Sequence, residues 1–289
     1  MAREKQDWVW RLGRLDRRII FLLIGLSVIV PLLLNLILPV YPSPIVDRLY
    51  DKIESLPAGS RVLLSLDYGP ATAPENQPMA ESMARHVLSK DLKLYIMSLW
   101  PTGPGQATLL VKDIRNDFPD KVEYEDWVNL GFKAGNQGLI NAILLNMKSM
   151  YTTDVNGVAV DSISMMTDVR NLTDMDLIAG IGSGFPGLKE WVQFAGDRGN
   201  IPIGGGVTAV EAPLLYPYYP KQLLGLMGGL QGAAEYEAAL IRGYPRFRES
   251  AINAVRLMGP QAVAHTLIVV FIIIGNITFF IERRRARKA

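Results

Sequence analysis

The sequence predicts an α/β protein in which a Rossmann-like or flavodoxin-like sandwich, built on a mainly parallel sheet, is inserted between two transmembrane helices. An uncharged apolar run near each end of the chain, at 19–40 and at 262–281, predicts the membrane helices. The sandwich is predicted because short apolar runs alternate with longer helical patterns throughout the region between them.

The composition is that of a folded chain without thiol chemistry. Of the 289 residues, 49% are hydrophobic, which excludes intrinsic disorder. The chain has no cysteine and only two histidines, so disulfides, cysteine-based metal sites and zinc clusters are excluded. We therefore expect neither a metal ion nor a cofactor.

Both apolar runs are long enough to cross a bilayer as helices. The first has 22 residues and the second has 20, and at about 1.5 Å per residue each spans a hydrocarbon core of about 30 Å. The first run is longer than the core of a signal peptide, and no small-residue cleavage site follows it. It is therefore predicted to remain as an anchor, kinked at Pro31.

Basic residues beside the two runs predict a multi-pass protein of the cell membrane with both termini in the cytoplasm. Segment 1–18 carries six Lys and Arg residues and the tail 282–289 carries five. Residues 43–258 carry 19 basic and 24 acidic side chains, a net charge of −5, so they are predicted to lie outside. Four arginines between residues 242 and 256 favour the reverse orientation, but the basic tail adjoins its run directly.

The basic segment 1–18 has two interpretations. Trp8, Leu12 and Leu15 fall near one helical face, which is typical of an interfacial helix on anionic lipid. The alternative is a simple positive flank of the first span. In either case the lipid bilayer is the predicted partner, and nucleic acid is not, because no recognisable binding fold accompanies the basic ends.

The region 43–243 is predicted to form the extracytoplasmic α/β domain, and a juxtamembrane helix at 244–260 is expected to lead into the second span. Strands are expected at 61–69, 92–100, 121–132, 175–184 and 201–210. Helices are expected at 43–56, 76–91, 105–118, 135–151, 186–199 and 221–242. Such alternation produces right-handed βαβ units, and continuous apolar strands are typical of a sheet covered on both faces.

The last helix of the predicted domain, 221–242, is rich in small residues. Gly225, Gly229 and Ala233 fall on one stripe, and glycine inside a helix costs about 1 kcal/mol. Close contact with a neighbour would offset that cost, and the neighbour is either the domain's own sheet or a second copy of the chain. Three aromatic residues held between prolines just upstream suit an interface or a pocket lid: Tyr216, Tyr218 and Tyr219.

Loops at the carboxyl ends of the strands are the expected ligand-binding region of a parallel sheet. These loops are rich in glycine and proline, which let backbone approach a ligand or simply reverse the chain. The candidate ligand-binding residues in them are Asp67, Glu75, Lys133, Asn136, Ser183, Gly184 and Glu211.

One of these loops contains a literal G-x-G-x-x-G motif, at 182–187. In dinucleotide-binding folds this motif follows the first strand, and an acidic residue ends the next strand. Here the motif follows the fourth predicted strand, and Gly204, Gly205 and Gly206 stand where the acid would be. A tight turn is therefore the favoured interpretation of the motif.

Two function hypotheses follow from these patterns. The first is a non-enzymatic binding or scaffold module that self-associates, or that captures a ligand or another membrane protein at the strand ends. The second is a membrane-anchored enzyme in which Asp67, Glu75 and Lys133 perform acid–base chemistry. The first is favoured because no established catalytic constellation is recognisable in the sequence.

Overall fold

A computed structural model describes residues 16–287, except for the side chains of residues 285 and 286. The chain divides into two units, an α/β domain at Val40–Val255 and a helical unit formed by the chain up to Pro39 and from Arg256 onward. The helical face predicted for Trp8, Leu12 and Leu15 lies outside the described residues.

The α/β domain is built on one parallel sheet, as predicted. Among the described residues the strands are β1 Arg61–Asp67, β2 Lys93–Ser98, β3 Trp127–Phe132, β4 Leu177–Gly182, β5 Ile203–Val207 and β6 Leu226–Gly228. All their pairings are parallel, in the order β3-β2-β1-β4-β5-β6. This is the Rossmann-type doubly wound order, so the direction of winding reverses between β1 and β4.

Helices cover both faces of the sheet. Among the described residues, the helices of ten or more residues are, in chain order, α1 Arg17–Leu33, α2 Pro44–Glu54, α3 Ala73–Ser89, α4 Gly103–Asp117, α5 Asn136–Leu145, α6 at 188–199 with a π-helical centre at Trp191–Gly196, α7 Gly229–Gly243 and α8 Asn253–Ala286. Helices α2, α3, α4 and α7 pack together as one layer, and α5 packs against α6 in the other. The polar stretch between α5 and β4 contains short 3₁₀ turns.

Three consecutive glycines in β5 let helices approach the sheet closely. A Cβ at Gly204 would collide with the Leu49 side chain of α2, and one at Gly206 would collide with the Met79 sulfur of α3. Gly205 has a φ of +156°, and a Cβ there would collide with the Gly180 carbonyl oxygen of β4. The glycine run therefore serves close contact between layers and strands.

The structure corrects the prediction of one helix at 221–242. Residues Leu226–Gly228 form the edge strand β6, and α7 begins only at Gly229, whose φ is +61°. Gly225 lies outside any helix, and a Cβ on it would come within 2.6 Å of the Ile45 carbonyl oxygen. A three-residue strand has too few positions for period-two alternation to show, so the small residues imitated a helical stripe.

A buried hydrogen-bond network joins three helices of one layer. His86 of α3 contacts the Tyr236 hydroxyl of α7 through Nδ1, at 2.7 Å, and Glu54 of α2 through Nε2, at 3.0 Å. Burial lowers the pKa of His86 to about 4, more than the nearby Glu54 raises it. A neutral imidazole can donate on one nitrogen and accept on the other, so His86 is a structural link at neutral pH.

The C-terminal helix α8 is the one described helix that is long and apolar enough to cross a membrane. Its stretch Asn253–Arg284 has 32 residues and includes an 18-residue window of mean hydropathy 2.3, of which 6% is buried. The helix passes through Gly259 and Pro260 without a break, so the separate juxtamembrane helix predicted for 244–260 is not observed. Its first turn is capped by Glu237, which accepts hydrogen bonds from the Ala254 and Val255 amides at 3.0 and 2.9 Å.

The first predicted span, 19–40, does not form one helix long enough to be identified as a membrane crossing. Helix α1 has 17 residues and ends at Leu33, instead of continuing to Val40. Asn35 adopts a left-handed conformation with φ +47°, and the Leu36 amide donates to the Pro31 carbonyl at 3.0 Å. These are the features of a Schellman termination, for which asparagine is the usual alternative to glycine.

Candidate functional site

The carboxyl end of β1 is filled by the buried carboxyl group of Asp67. Its oxygens accept hydrogen bonds from the Leu99 amide at 2.7 Å, the Trp191 indole N–H at 2.9 Å and the Ser65 hydroxyl at 2.8 Å. Burial raises the pKa of Asp67 to about 7, although the three donors lower it in part. Because this carboxyl group is enclosed and fully engaged, it joins three segments of the fold and is not open to a ligand.

The indole of Trp100 lies across the same end of the sheet. Trp100 belongs to the loop after β2, and its Nε1–H donates to the Pro186 carbonyl oxygen in the loop after β4, at 2.6 Å. Since β1 lies between β2 and β4, this bond crosses the carboxyl end of β1. The position where doubly wound sheets commonly bind ligands is therefore covered by the protein's own side chain.

An open crevice lies one strand further along the edge, between the loops after β4 and β5. Its volume is about 440 Å³. Ser183 and Gly184 line it directly after β4, and Thr208 and Glu211 line it after β5. Three of these residues, Ser183, Gly184 and Glu211, were candidates from the sequence, and the structure brings them together.

Two carboxyl groups line this crevice in different environments. Glu190 is 7% exposed, and its Oε2 accepts a hydrogen bond from the Gly187 amide at 2.8 Å. Glu211 has a buried Oε2 with no hydrogen-bond partner among the described residues. Burial, with a smaller contribution from the charge of Glu190, raises the pKa of Glu211 to about 7.

The rest of the crevice lining is partly hydroxylic and partly apolar. The side-chain hydroxyls of Ser183 and Thr208 make no hydrogen bond within the described part of the chain. Phe185, Val210 and Leu214 form an apolar rim and are 60%, 90% and 65% exposed. The crevice therefore offers hydrogen-bonding groups at its base and apolar surface at its mouth, a common design of small-molecule sites.

The first turn of α3 holds both loops that form the crevice. Glu75 Oε2 accepts a hydrogen bond from the Ala209 amide, at 2.9 Å, in the loop after β5. Asn76 is fully buried and donates through Nδ2 to the Gly182 carbonyl, at 2.9 Å, where β4 ends. Glu75, predicted as a ligand-binding or catalytic residue, thus lies near the crevice in a positioning role.

Lys133 and Asn136 lie at the β3 edge of the sheet, away from the crevice. The Lys133 ammonium is 5.8 Å from the centre of the Tyr151 ring, and Asn136 is the exposed first residue of α5. Four strand spacings separate β3 from β5, which is roughly 19 Å. The three residues of the enzyme hypothesis, Asp67, Glu75 and Lys133, therefore do not share one site.

The glycines of the G-x-G-x-x-G motif build a turn. A Cβ at Gly187 would collide with the Gly184 carbonyl oxygen, and one at Gly184 would touch the Trp100 ring at 3.5 Å. Gly184 also has a φ of +152°. These contacts explain the motif through chain reversal and close approach to the indole of Trp100.

The small and aromatic residues predicted to mediate packing or oligomer contacts have neighbours within the chain. Gly229 lies against Ala209, and Ala233 is fully buried. Tyr218 accepts a hydrogen bond from Gln193 at 2.7 Å. The ring of Tyr219 lies 5.8 Å from the Arg48 guanidinium, whereas Tyr216 is 54% exposed.

Sequence reasoning missed several residues of the crevice: Phe185, Lys189, Glu190, Thr208, Val210 and Leu214. Glu190 could have been found from the sequence, because an acidic residue three positions after the N-cap residue of a helix commonly accepts a backbone hydrogen bond there. The apolar rim had no such signal, since exposed apolar residues in loops are common.

No protein-family model matches the chain, and a search of curated proteins found no match. Within residues 16–287, no group of three or more acidic or histidine side chains is arranged to hold a metal ion. The expectation of a protein without metal or cofactor stays a prediction.

Proposed function

We propose that this protein is a membrane-anchored binding module whose α/β domain captures a small ligand in the crevice between the loops after β4 and β5. The observation that carries this proposal is the contrast between two acids. Asp67 is buried and fully hydrogen-bonded, whereas Glu211 lines an open crevice and has a buried oxygen with no partner among the described residues. A buried polar atom without a partner costs about 1–3 kcal/mol, and a bound ligand would remove that cost.

The proposed anchor consists of α8 and the apolar N-terminal arm. Helix α8 supplies one membrane crossing by length and composition. The arm combines α1 with residues 34–40, which are apolar except for Asn35. A Cβ at Gly259 of α8 would collide with the Leu36 carbonyl oxygen of that arm. Non-helical backbone is tolerated inside a bilayer where other parts of the protein cover it, and contact with α8 would cover residues 34–40 in this way. A multi-pass protein with two spans therefore remains our proposal.

The proposed orientation places both termini in the cytoplasm and the domain outside. It rests on the basic residues beside the apolar runs and on the net charge of −5 in residues 43–258. Protease added to sealed, right-side-out vesicles should digest the domain and leave a C-terminal epitope tag protected. Protection of the domain, with digestion of the tag, would reverse the orientation.

Ligand capture in the crevice is tested by obstructing its mouth. Val210 is 90% exposed and lines the crevice, so Val210→Trp should narrow it without disturbing the core. Saturation-transfer NMR on the full chain in detergent would compare a set of small amines, acids and alcohols. We expect signals that Val210→Trp removes and that Val122→Trp, at another exposed site, retains. Signals that survive in both variants, or no signals at all, would contradict the proposal.

An enzyme is the second candidate, favoured by one observation. A carboxyl group whose pKa is about 7 can act as acid or base at neutral pH, and Glu211 has the second carboxyl group of Glu190 nearby. Turnover of p-nitrophenyl esters, phosphates or glycosides that is lost in Glu211→Gln, and kept in Glu125→Gln, would support this candidate. Turnover that is equal in both variants would contradict it.

Self-association, and assembly with another membrane protein, remain proposals that rest on the sequence. Gly225, Gly229 and Ala233 are occupied by contacts within the domain, so they supply no free surface. Mass measurement of the intact chain in detergent would decide between a defined oligomer and a monomer, and a monomer would contradict self-association.

A further inference from the structure

The base of the crevice contains more acceptor groups than the chain itself uses. Glu211 Oε2 is buried and has no hydrogen-bond partner within residues 16–287, and Glu190 Oε2 accepts a hydrogen bond from the Gly187 amide. Ser183 and Thr208, which carry hydroxyl groups, also line this space. A ligand that complements this base must bring several hydrogen-bond donors.

The charges of the lining favour a cation. Its charged side chains are Glu190, Glu211 and Lys189. Lys189 is exposed and forms no ion pair with either carboxylate within residues 16–287, so it lies at the rim and leaves the negative charge at the base unbalanced. The charge of Glu190 also opposes the ionisation of Glu211, and a bound cation would relieve that effect.

We propose that the crevice binds an organic ammonium ion, with the ammonium against Glu211 and Glu190 and an apolar body over Phe185, Val210 and Leu214. This inference rests on the proposed function of the crevice as a binding site. An ammonium group has three donors and no acceptor, which matches two carboxylates and a hydroxyl. The exposed apolar rim supplies contact for the ligand's hydrocarbon part.

The proposed ligand class has a pH signature. Glu211 binds a cation best when it is ionised, and burial raises its pKa to about 7. The ionised fraction of such a group rises about tenfold between pH 6 and pH 8, so the affinity for an ammonium ion should rise by about the same factor. Binding near pH 7 should also release protons.

Phenethylammonium and phenethyl alcohol are matched probes, because they share the apolar body and differ in the charged group. Titration of each into the full chain in detergent, followed by NMR or calorimetry, should show at least tenfold tighter binding of the ammonium probe at pH 8. Glu211→Gln should remove that preference and leave the alcohol unchanged. Glu125→Gln, which removes an exposed acid outside the crevice, should behave as the wild type.

The outcomes separate this inference from the proposed function. Equal binding of the two probes, blocked by Val210→Trp, would overturn the ammonium assignment and leave the crevice as a binding site. Binding that Val210→Trp does not alter would overturn both. The pH dependence of the wild type provides an independent test if Glu211→Gln fails to fold: an affinity for phenethylammonium that is flat from pH 6 to pH 8 would overturn the assignment.

Discussion

Two positions on the same edge of the sheet, two strands apart, carry acids in opposite environments. At the end of β1, Asp67 is buried, accepts three hydrogen bonds and lies beneath the Trp100 indole. After β5, Glu211 lines an open crevice and has a buried oxygen without a partner in the part of the chain that the structure describes. Burial raises the pKa of both groups to about 7, so a raised pKa does not distinguish a structural acid from a candidate ligand-binding acid. The two kinds of acid are distinguished by their hydrogen-bond partners and by whether the residue lines open space.

The largest expected effect comes from removing the engaged acid. Asp67→Ala leaves the Leu99 amide, the Trp191 indole and the Ser65 hydroxyl without an acceptor. We expect a loss of about 3–5 kcal/mol in the free energy of unfolding, measured by denaturant titration in detergent. The exposed Asp120→Ala is the matched control and should change stability by less than about 0.5 kcal/mol. Equal effects of the two substitutions would remove the structural role assigned to Asp67.

A smaller effect is expected from the residue that positions the crevice. Glu75→Ala removes the acceptor of the Ala209 amide and releases the loop after β5. The expected loss is about 1–2 kcal/mol, because a hydrogen bond to a charged but half-buried group is involved. Hydrogen exchange at Ala209 should accelerate in Glu75→Ala and stay unchanged in Glu125→Ala. If exchange at Ala209 is unaffected, Glu75 does not hold this loop.

The sequence predicted the sheet well because its strands are long apolar runs between helices. Five of the six strands described lie where alternation placed them; Asp67 ends β1, and Glu211 lies in the loop after β5. Strand β6 was missed because three residues carry too little pattern. The end of α1 was missed because the uncharged run continues to Val40, although the left-handed conformation of Asn35 ends the helix.

The site could be predicted only in part, for a different reason. The local sequence pattern predicts that a residue lies in a loop. Whether its side chain is hydrogen-bonded within the fold depends on contacts between distant segments. Trp191 reaches Asp67 across 124 positions of the chain, and Glu75 reaches Ala209 across 134. No spacing in the sequence encodes these hydrogen bonds. The sequence therefore does not distinguish the covered carboxyl end of β1 from the open crevice between the loops after β4 and β5.

The smallest expected effect is a gain in stability, and it tests the contrast between Asp67 and Glu211 most directly. The pKa of Glu211 is about 7 in the folded chain and 4.5 in an ordinary environment. Ionisation of Glu211 therefore lowers the free energy of unfolding. This cost is absent below about pH 4.5, grows between pH 4.5 and pH 7, and is complete above pH 7. Glu211→Gln should therefore raise the free energy of unfolding by about 1 kcal/mol at pH 8, because it removes a buried charge without a partner, and should have little effect at pH 5. Asp67→Asn should destabilise at both pH values, because the Leu99 amide and the Trp191 indole donate to different oxygens of Asp67 and the new amide N–H groups would oppose one of them. Denaturant titrations of both variants at the two pH values measure this, and a Glu211→Gln variant that is less stable than wild type at pH 8 would mean that Glu211, like Asp67, is held by the fold itself.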